Sequence, residues 1–374
     1  MKVFIQAIVG QLLLSSYIFI RGYQAIPPTK KWRIPFTLFF ILEISLYLTG
    51  FFFRKSLPDS IFIPIMQICN TWYIASLYLT MSLLVLELIR FLNRYIPLIP
   101  QVIKKNYAKT KLILFFTIIA GVTALMFKAY HTVTHPVVRH VSITLPKKGS
   151  TRDSLKIVMM SDLHIGETIN RSLVHKYVAL ANEQKADMAV LVGDIMDYES
   201  RIAVNQKVEE ELRQIHAPLG TYIVLGNHEY RANINAKHKW LLQTGGTLLI
   251  DSVAMPDSTF YLVGRDDLVN KKRKPLHSLT KDLDPDLPVI VLDHQPLAFN
   301  EMVMNKADLG LHGHTHNGQF WPYPLIMKLI FECPYGYYKK GDTQFYVSSG
   351  IGCAGPPYRV GTVSELVVLH ITFR

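Results

Sequence analysis

The chain has 374 residues, of which 49% are apolar, and it combines positive mean hydropathy with a formal net charge of +12. That is too long for one ordinary domain and too apolar for a wholly soluble chain. Residues 1–150 hold 17 of the 40 Lys and Arg against 3 acids, whereas the remainder holds 23 against 25. A basic excess confined to the apolar third excludes a nucleic-acid footprint, so no nucleic-acid partner is expected.

Four apolar segments come first, at Val3 to Ile20, Ile34 to Phe53, within Ile61 to Leu92, and Leu112 to Phe127. Each approaches the ~20 residues that a ~30 Å hydrocarbon core requires of a helix. Lys2 precedes the first as in a signal peptide, but no small-residue cleavage site follows before Arg21, so a membrane helix is expected. Gln67, Asn70 and Thr71 interrupt the third, whose span is expected from Tyr73 onward. Residues 1–130 therefore read as a transmembrane region of about four helices.

Lys and Arg near helix ends stay on the cytoplasmic side. The richest loops carry Arg21, Lys30, Lys31 and Arg33, then Arg90, Arg94, Lys104, Lys105, Lys109 and Lys111. Four spans then put both ends of the chain outside the cytoplasm; one span fewer reverses this.

From Pro136 the texture becomes short strand-like runs alternating with helical ones, as in a layered α/β domain over 136–374. The runs are "LKIVMMSD", "ADMAVLVGD", "TYIVLGN", "TFYLVGRDD", "PVIVLDH", "ADLGLHGH", "TQFYVSSG" and "SELVVLHI". Helices are expected at Ser172 to Glu183, Val208 to Gln214 and Leu297 to Asn305.

Five of these runs close on acids, amides and imidazoles instead of ordinary turn residues. "SDLHIG" supplies Asp162 and His164, "GDIMD" supplies Asp194 and Asp197, and "GNHEY" supplies Asn227 and His228. "DHQP" supplies His294, and "LHGHTHNGQF" supplies His314 and His316. The carboxyl ends of strands in an α/β sheet are where ligands bind, so scattered groups can meet there. Oxygen and nitrogen donors without cysteine suit Mn, Fe, Zn or Mg. Three carboxylates and five imidazoles exceed the needs of one ion. Two cations ~3.5–4 Å apart would activate a shared water and clamp a phosphate ester for in-line displacement. Taken singly each motif is weak, because a His beside a strand end is usually a structural residue.

As an ordered set, "DLH", "GDIMD", "GNHE", "H" and "GHTH" resemble the signature of the calcineurin-like metallophosphoesterase superfamily, over about Pro136 to Arg374. "APLGTYIVLGNHEY" and "YVSSGIG" further resemble its membrane-associated, YkuE-like branch. The resemblance implies a four-layer α/β/β/α sandwich with a dinuclear metal site. One ion would be held by Asp162, His164, Asp194 and His316, and the second by Asp194, Asn227, His294 and His314, with Asp194 as the bridge. It also implies that His228 serves the leaving oxygen and that Asp197 orients its ring. Manganese leads as the metal, with iron or zinc as alternatives. The expected activity is metal-dependent hydrolysis of a phosphodiester, phosphomonoester or pyrophosphate bond, with a lipid-linked substrate favoured. The alternative is a non-catalytic membrane scaffold or sensor that keeps the metal-binding domain.

Asn317 stands where relatives often have Gly, and Asp293 where they often have Ser. Asp293 is expected to cap the next turn or, less favoured, to bias the His294 tautomer. His312 is expected to pack in its strand. "FWPYPLIMKLIF", Phe320 to Phe331, is too short to span; it reads as a buried wall of the domain or as an apolar lip at the membrane interface. "KKRK", Lys271 to Lys274, reads as a solvated loop or a headgroup contact, and Arg359 as a phosphate contact or a surface residue. Cys69, Cys333 and Cys353 lack CxxC spacing and read as packed thiols, a Cys333–Cys353 pairing staying open in an oxidising compartment.

Overall fold

The computed structural model describes residues 2–146 and 149–374, with side chains from residue 8 onward, so the Lys2 side chain lies outside the described part. The chain divides into two compact units, Met1–Ala129 and Tyr130–Arg374.

The first unit consists of helices Lys2–Ala25, Lys30–Phe52, Asp59–Leu92, the short Gln101–Lys105, and most of Tyr107–Thr134. Among the described residues, three of these helices are long and apolar enough to cross a membrane: Lys30–Phe52, Asp59–Leu92 and Tyr107–Thr134. The third apolar segment lies within one continuous helix, Asp59–Leu92, of 34 residues. At ~1.5 Å per residue it is longer than the ~30 Å hydrocarbon core. Thr71 does not interrupt it because its hydroxyl donates to the Gln67 carbonyl at 2.7 Å, one turn back.

A polar cluster joins the first three helices. Gln11 Nε2 donates to Glu43 Oε1 at 3.1 Å and Ser15 Oγ to Glu43 Oε2 at 3.2 Å. Trp72 Nε1 donates to Ser15 Oγ at 3.1 Å, and Ser76 Oγ to Gln11 Oε1 at 3.3 Å. Polar side chains among apolar helices persist by satisfying one another, which fixes the helix pairing.

Among the described residues the second unit holds twelve strands: β1 (Val137–Leu145), β2 (Ser154–Met160), β3 (Met188–Val192), β4 (Thr221–Val224), β5 (Thr247–Leu248), β6 (Ser252–Ala254), β7 (Tyr261–Gly264), β8 (Val289–Leu292), β9 (Leu309–His312), β10 (Gly336–Lys340), β11 (Thr343–Val347) and β12 (Glu365–Phe373). They form two six-stranded sheets, ordered β1-β12-β2-β3-β4-β5 and β10-β11-β9-β8-β7-β6. Within them β2, β3 and β4 run parallel, as do β7, β8 and β9.

Alternation along the strands builds the layers. Ile157 and Met159 of β2, Val190 and Val192 of β3, Ile290 and Leu292 of β8, and Leu309 and Leu311 of β9 share the core between the sheets. Their neighbours Val158, Met160, Ala189 and Leu191 face the other way, onto Val174, Tyr177 and Val178 of helix Arg171–Glu183. Val289 and Val291 likewise face Leu276, Phe299 and Met302. The result is a four-layer α/β/β/α sandwich. Helix Arg171–Glu183 is started by Asn170, whose side chain accepts the Leu173 N–H at 3.1 Å. The other two expected helices shorten to Glu209–Leu212 and Phe299–Met304.

Phe320 to Phe331 is not a buried wall. It contains helix Tyr323–Ile330, none of whose residues is buried.

Candidate metal centre

The carboxyl ends of β2, β3, β4, β8 and β9 deliver the site. Asp162 and His164 follow β2, Asp194 and Asp197 follow β3, and Asn227 and His228 follow β4. His294 follows β8, and His314 and His316 follow β9. The structure brings eight of these nine side chains together, and Asn227 adjoins His228 in the chain. Ligand-type atoms of Asp162, His164 and His316 lie within 4.8 Å of one another, and so do those of Asp194, His294 and His314.

Reaching this convergence bends the backbone. Asp162, His164, Asp194, His314 and His316 have φ of +54°, +51°, +51°, +73° and +50°. Each such residue costs on the order of 1–3 kcal/mol and persists only where its surroundings impose it. They do: Asp162 N–H donates to Gly193 O at 3.0 Å, His164 N–H to Asp194 O at 3.0 Å, and His314 N–H to Asp162 Oδ1 at 3.0 Å. Two glycines clear the space. A Cβ on Gly226 would lie 2.2 Å from Asp194 Oδ1, and one on Gly313 would lie 2.4 Å from Asp162 Oδ2. Asn317 at φ +48° explains its departure from glycine, since Asn is among the few residues that adopt this conformation readily.

The donor set fits cations. His294 Nδ1 is 2.8 Å from Val192 O, so it donates there and turns the Nε2 lone pair inward. That Nε2 sits 3.2 Å from Asp194 Oδ2 yet makes no hydrogen bond of acceptable geometry, and the buried Asn227 Oδ1 has no hydrogen-bond partner among the described residues. Nε2 of His164 and of His316 are 3.0 Å apart. Two nitrogens each ~2.1 Å from one cation stand a little over ~3 Å apart, so this pair is spaced as ligands are. Asp194 Oδ2 lies 3.7 Å from His164 Nε2 and 3.2 Å from His294 Nε2, between the two groups.

Electrostatics follow from this crowding. Burial acts to raise Asp194, but His294, His228 and His164 outweigh it and hold the carboxyl well below the carboxylate range. Burial and the neighbouring His294 push His314 down to about 3. Burial opposes the proton on His294, yet Asp194 and Asp162 raise it well above the usual imidazole value. A cation at that Nε2 competes with the proton for the same lone pair.

His228 Nδ1 is 2.9 Å from Asp197 Oδ1, and the His228 N–H donates to Asp194 Oδ1 at 2.7 Å. Burial and His164 lower the His228 imidazole, while Asp197 works the other way.

Some assignments change. Asp293 neither caps a turn nor touches the His294 ring nitrogens; it is fully buried and grips Arg273 with both oxygens, one bond being 3.0 Å. Arg273 is thereby drawn out of the supposedly solvated "KKRK". Arg359 is buried at 2% exposure and donates to the carbonyls of Ser349, Gly352 and Val363, so it is neither a surface residue nor free to reach a phosphate. His312 packs between Phe299 and Phe345, and Cys69, Cys333 and Cys353 are free, buried thiols.

Two supporting residues escaped the sequence reading. Glu229 is fully buried and accepts from the N–H groups of Asp194, Ile195, Met196 and Gly226 at 2.8–3.0 Å, pinning the β3 and β4 loops together. Lys237, also fully buried, donates to the carbonyls of Asp197 and His228, both at 2.5 Å. Glu229 had a signal, its place directly after His228; Lys237, in the following helix Ile234–Leu241, had none.

Comparison with known proteins agrees. Residues 155–318 match the Calcineurin-like phosphoesterase family. A "Transmembrane protein with metallophosphoesterase domain" from Danio rerio is 30% identical over 365 residues, covering 92% of this chain and 82% of that protein. An uncharacterized metallophosphoesterase from Campylobacter jejuni is 32% identical over 63% of each chain. YkuE of Bacillus subtilis, also uncharacterized, is 30% identical over 59% of this chain and 79% of its own length. Similarity of this extent to the zebrafish protein, reaching through the apolar helices as well as the sandwich, means that the chain belongs to the calcineurin-like phosphoesterase family, as a membrane-associated, metal-dependent phosphoric ester hydrolase.

Proposed function

We propose that the protein is a membrane-anchored dinuclear phosphoesterase, with a transmembrane region over residues 1–130 and a catalytic domain over 136–374. The observation that carries this reading is Asp194, whose carboxylate lies between His164 and His294 and so joins the two donor groups. Asp162, His164, Asp194 and His316 would hold one ion; Asp194, Asn227, His294 and His314 would hold the other. Manganese suits these oxygen and imidazole donors, and iron or zinc would also be accepted. Two such cations, when bound, would supply hydroxide at neutral pH and neutralise charge on the phosphoryl oxygens.

The chain's own groups do the rest. Asp197 fixes the His228 ring through Nδ1 and leaves Nε2 without that bond; a proton on Nε2 would be passed to the leaving oxygen. Asp197 supports the doubly protonated ring that this transfer requires. The His228 N–H holds Asp194 Oδ1, so the bridge and the proton donor are set by one short segment.

The substrate is a phosphodiester, phosphomonoester or pyrophosphate, and anchoring in a membrane favours one linked to lipid. The basic residues Arg90, Arg94, Lys104, Lys105, Lys109 and Lys111 cluster around the start of the last apolar helix, which supports a catalytic domain on the opposite, extracytoplasmic side. Hydrolysis of a soluble aryl phosphodiester by the purified protein with added Mn²⁺ tests the activity. Full activity in Asp194→Ala or His314→Ala would overturn the metal assignment, and a reporter fused after Arg374 reads the side.

A further inference from the structure

Helix Tyr323–Ile330 turns a row of large apolar side chains outward. Leu325, Ile326, Leu329 and Ile330 are 56%, 41%, 86% and 60% exposed. They fall at i, i+1, i+4 and i+5, one face of a helix, while Pro324 and Met327 lie on the face toward the domain and are only partly exposed. Trp321 and Tyr323 extend the patch at its N-terminal end, each 48% exposed. Contiguous apolar surface of this kind marks an interaction site.

Three observations choose a lipid surface as the occupant. First, helix Tyr107–Thr134 is apolar enough to cross a membrane, and its last turn already belongs to the second unit, where Val133 is fully buried and Tyr177 Oη donates to the Val133 carbonyl at 3.2 Å. That one helix carries the chain from the apolar region into the domain. Second, within the second unit the Tyr130 ring lies 6.2 Å from the Tyr358 ring, and two residues on Val360 O accepts the Trp321 N–H at 2.8 Å. The apolar helix therefore begins beside the point where the chain enters the domain. Third, Trp and Tyr at the edge of an apolar face are the residues that favour the headgroup level.

The same helix flanks the metal centre. Its first turn presses on Gly318, where a Cβ would lie 2.6 Å from Pro324 N, two residues after His316. Beyond its other end, the Phe331 ring is 6.0 Å from the His314 ring.

We propose that Tyr323–Ile330 is an interfacial helix that docks the domain on the bilayer through Leu325, Ile326, Leu329 and Ile330, and so presents phosphoesters at headgroup depth to the centre beside it. The substrate half of this proposal rests on the phosphoesterase reading above; the docking half does not. The test uses the full chain carrying Leu329→Cys, the native thiols being buried. A polarity-sensitive fluorophore on that cysteine is read in phosphatidylcholine vesicles whose acyl chains are brominated near the headgroup. Blue-shifted emission, quenched by the brominated lipid and shielded from aqueous iodide, is expected. Water-like emission quenched by iodide overturns docking, and so does shielding from both quenchers, which would assign the face to a protein partner or a second copy. The double variant Leu325→Glu, Leu329→Glu should lose about tenfold or more in turnover of a lipid-linked aryl phosphodiester in the same vesicles, yet match the unaltered protein on the soluble ester, because only remote binding is removed. Equal losses on both substrates contradict the proposal. If the unaltered protein hydrolyses neither ester, the phosphoesterase reading fails while the fluorophore still decides docking.

Discussion

His294 gives its Nδ1 to the carbonyl of Val192 at 2.8 Å, and this one bond points its Nε2 at Asp194. The last residue of β3 thus orients a donor carried by β8, in the other sheet. Losing the donor should matter more than losing volume. His294→Ala is expected to lower turnover about 10³-fold or more, since Lewis-acid stabilisation is worth several kcal/mol and each ~1.4 kcal/mol is tenfold. Bound metal per chain should fall with it; full metal content with full activity would remove His294 from the ligand set.

The His228–Asp197 pair predicts a dependence on leaving group. His228→Ala should slow an alkyl phosphoester by roughly 10²–10⁴-fold, the usual contribution of a positioned proton donor. A nitrophenyl ester, whose leaving oxygen needs no proton, should slow far less. Asp197→Asn should show the same pattern with a smaller drop, because it keeps the ring but not its orientation. Equal losses on both esters would mean that the pair serves structure alone.

Arg273 and Asp293 form a buried pair beside the centre. Arg273→Ala leaves buried Asp293 without its hydrogen-bonded guanidinium, and removing one partner of such a pair costs about 3–5 kcal/mol. Denaturation of the purified protein should show the loss. Unchanged stability would mean that water or another cation replaces the guanidinium.

Glu229 satisfies four backbone N–H groups, of which three belong to consecutive residues Asp194, Ile195 and Met196. Glu229→Ala leaves these buried donors unpaired at about 1–3 kcal/mol each. Both stability and metal retention should fall, since the same N–H groups place Asp194. Loss of metal without loss of stability would contradict a positioning role.

The eight strand-like runs of the sequence all form strands, because alternating or continuous Val, Ile and Leu state which way each residue faces. Four strands lay outside those runs: β1, whose "VVRHVSITL" follows the last apolar helix and is buried only toward its end, β5 and β6, of two and three residues, and β10, whose "GYYKK" is only partly buried. At the centre, acids, amide and imidazoles were legible because each closes a strand, and the structure draws the acid and imidazole side chains together. The buried supports were not: Lys237, Arg273 and Arg359 look like surface cations until tertiary packing hands them carbonyls or a carboxylate. The helix at Tyr323–Ile330 was ambiguous for a related reason. Its apolar residues are the same whether they face a core or a membrane, and only the fold shows that they face outward.

The central claim, that residues from five strand ends grip a pair of cations, is tested most directly by elemental analysis. Protein purified without chelator and supplemented with Mn²⁺ should carry about two divalent ions per chain, as a bridged pair requires. Asp194→Ala should carry far fewer, and chelation should abolish hydrolysis until metal is returned. A chain that holds no divalent metal after supplementation, yet hydrolyses phosphoesters at the same rate, would contradict the account.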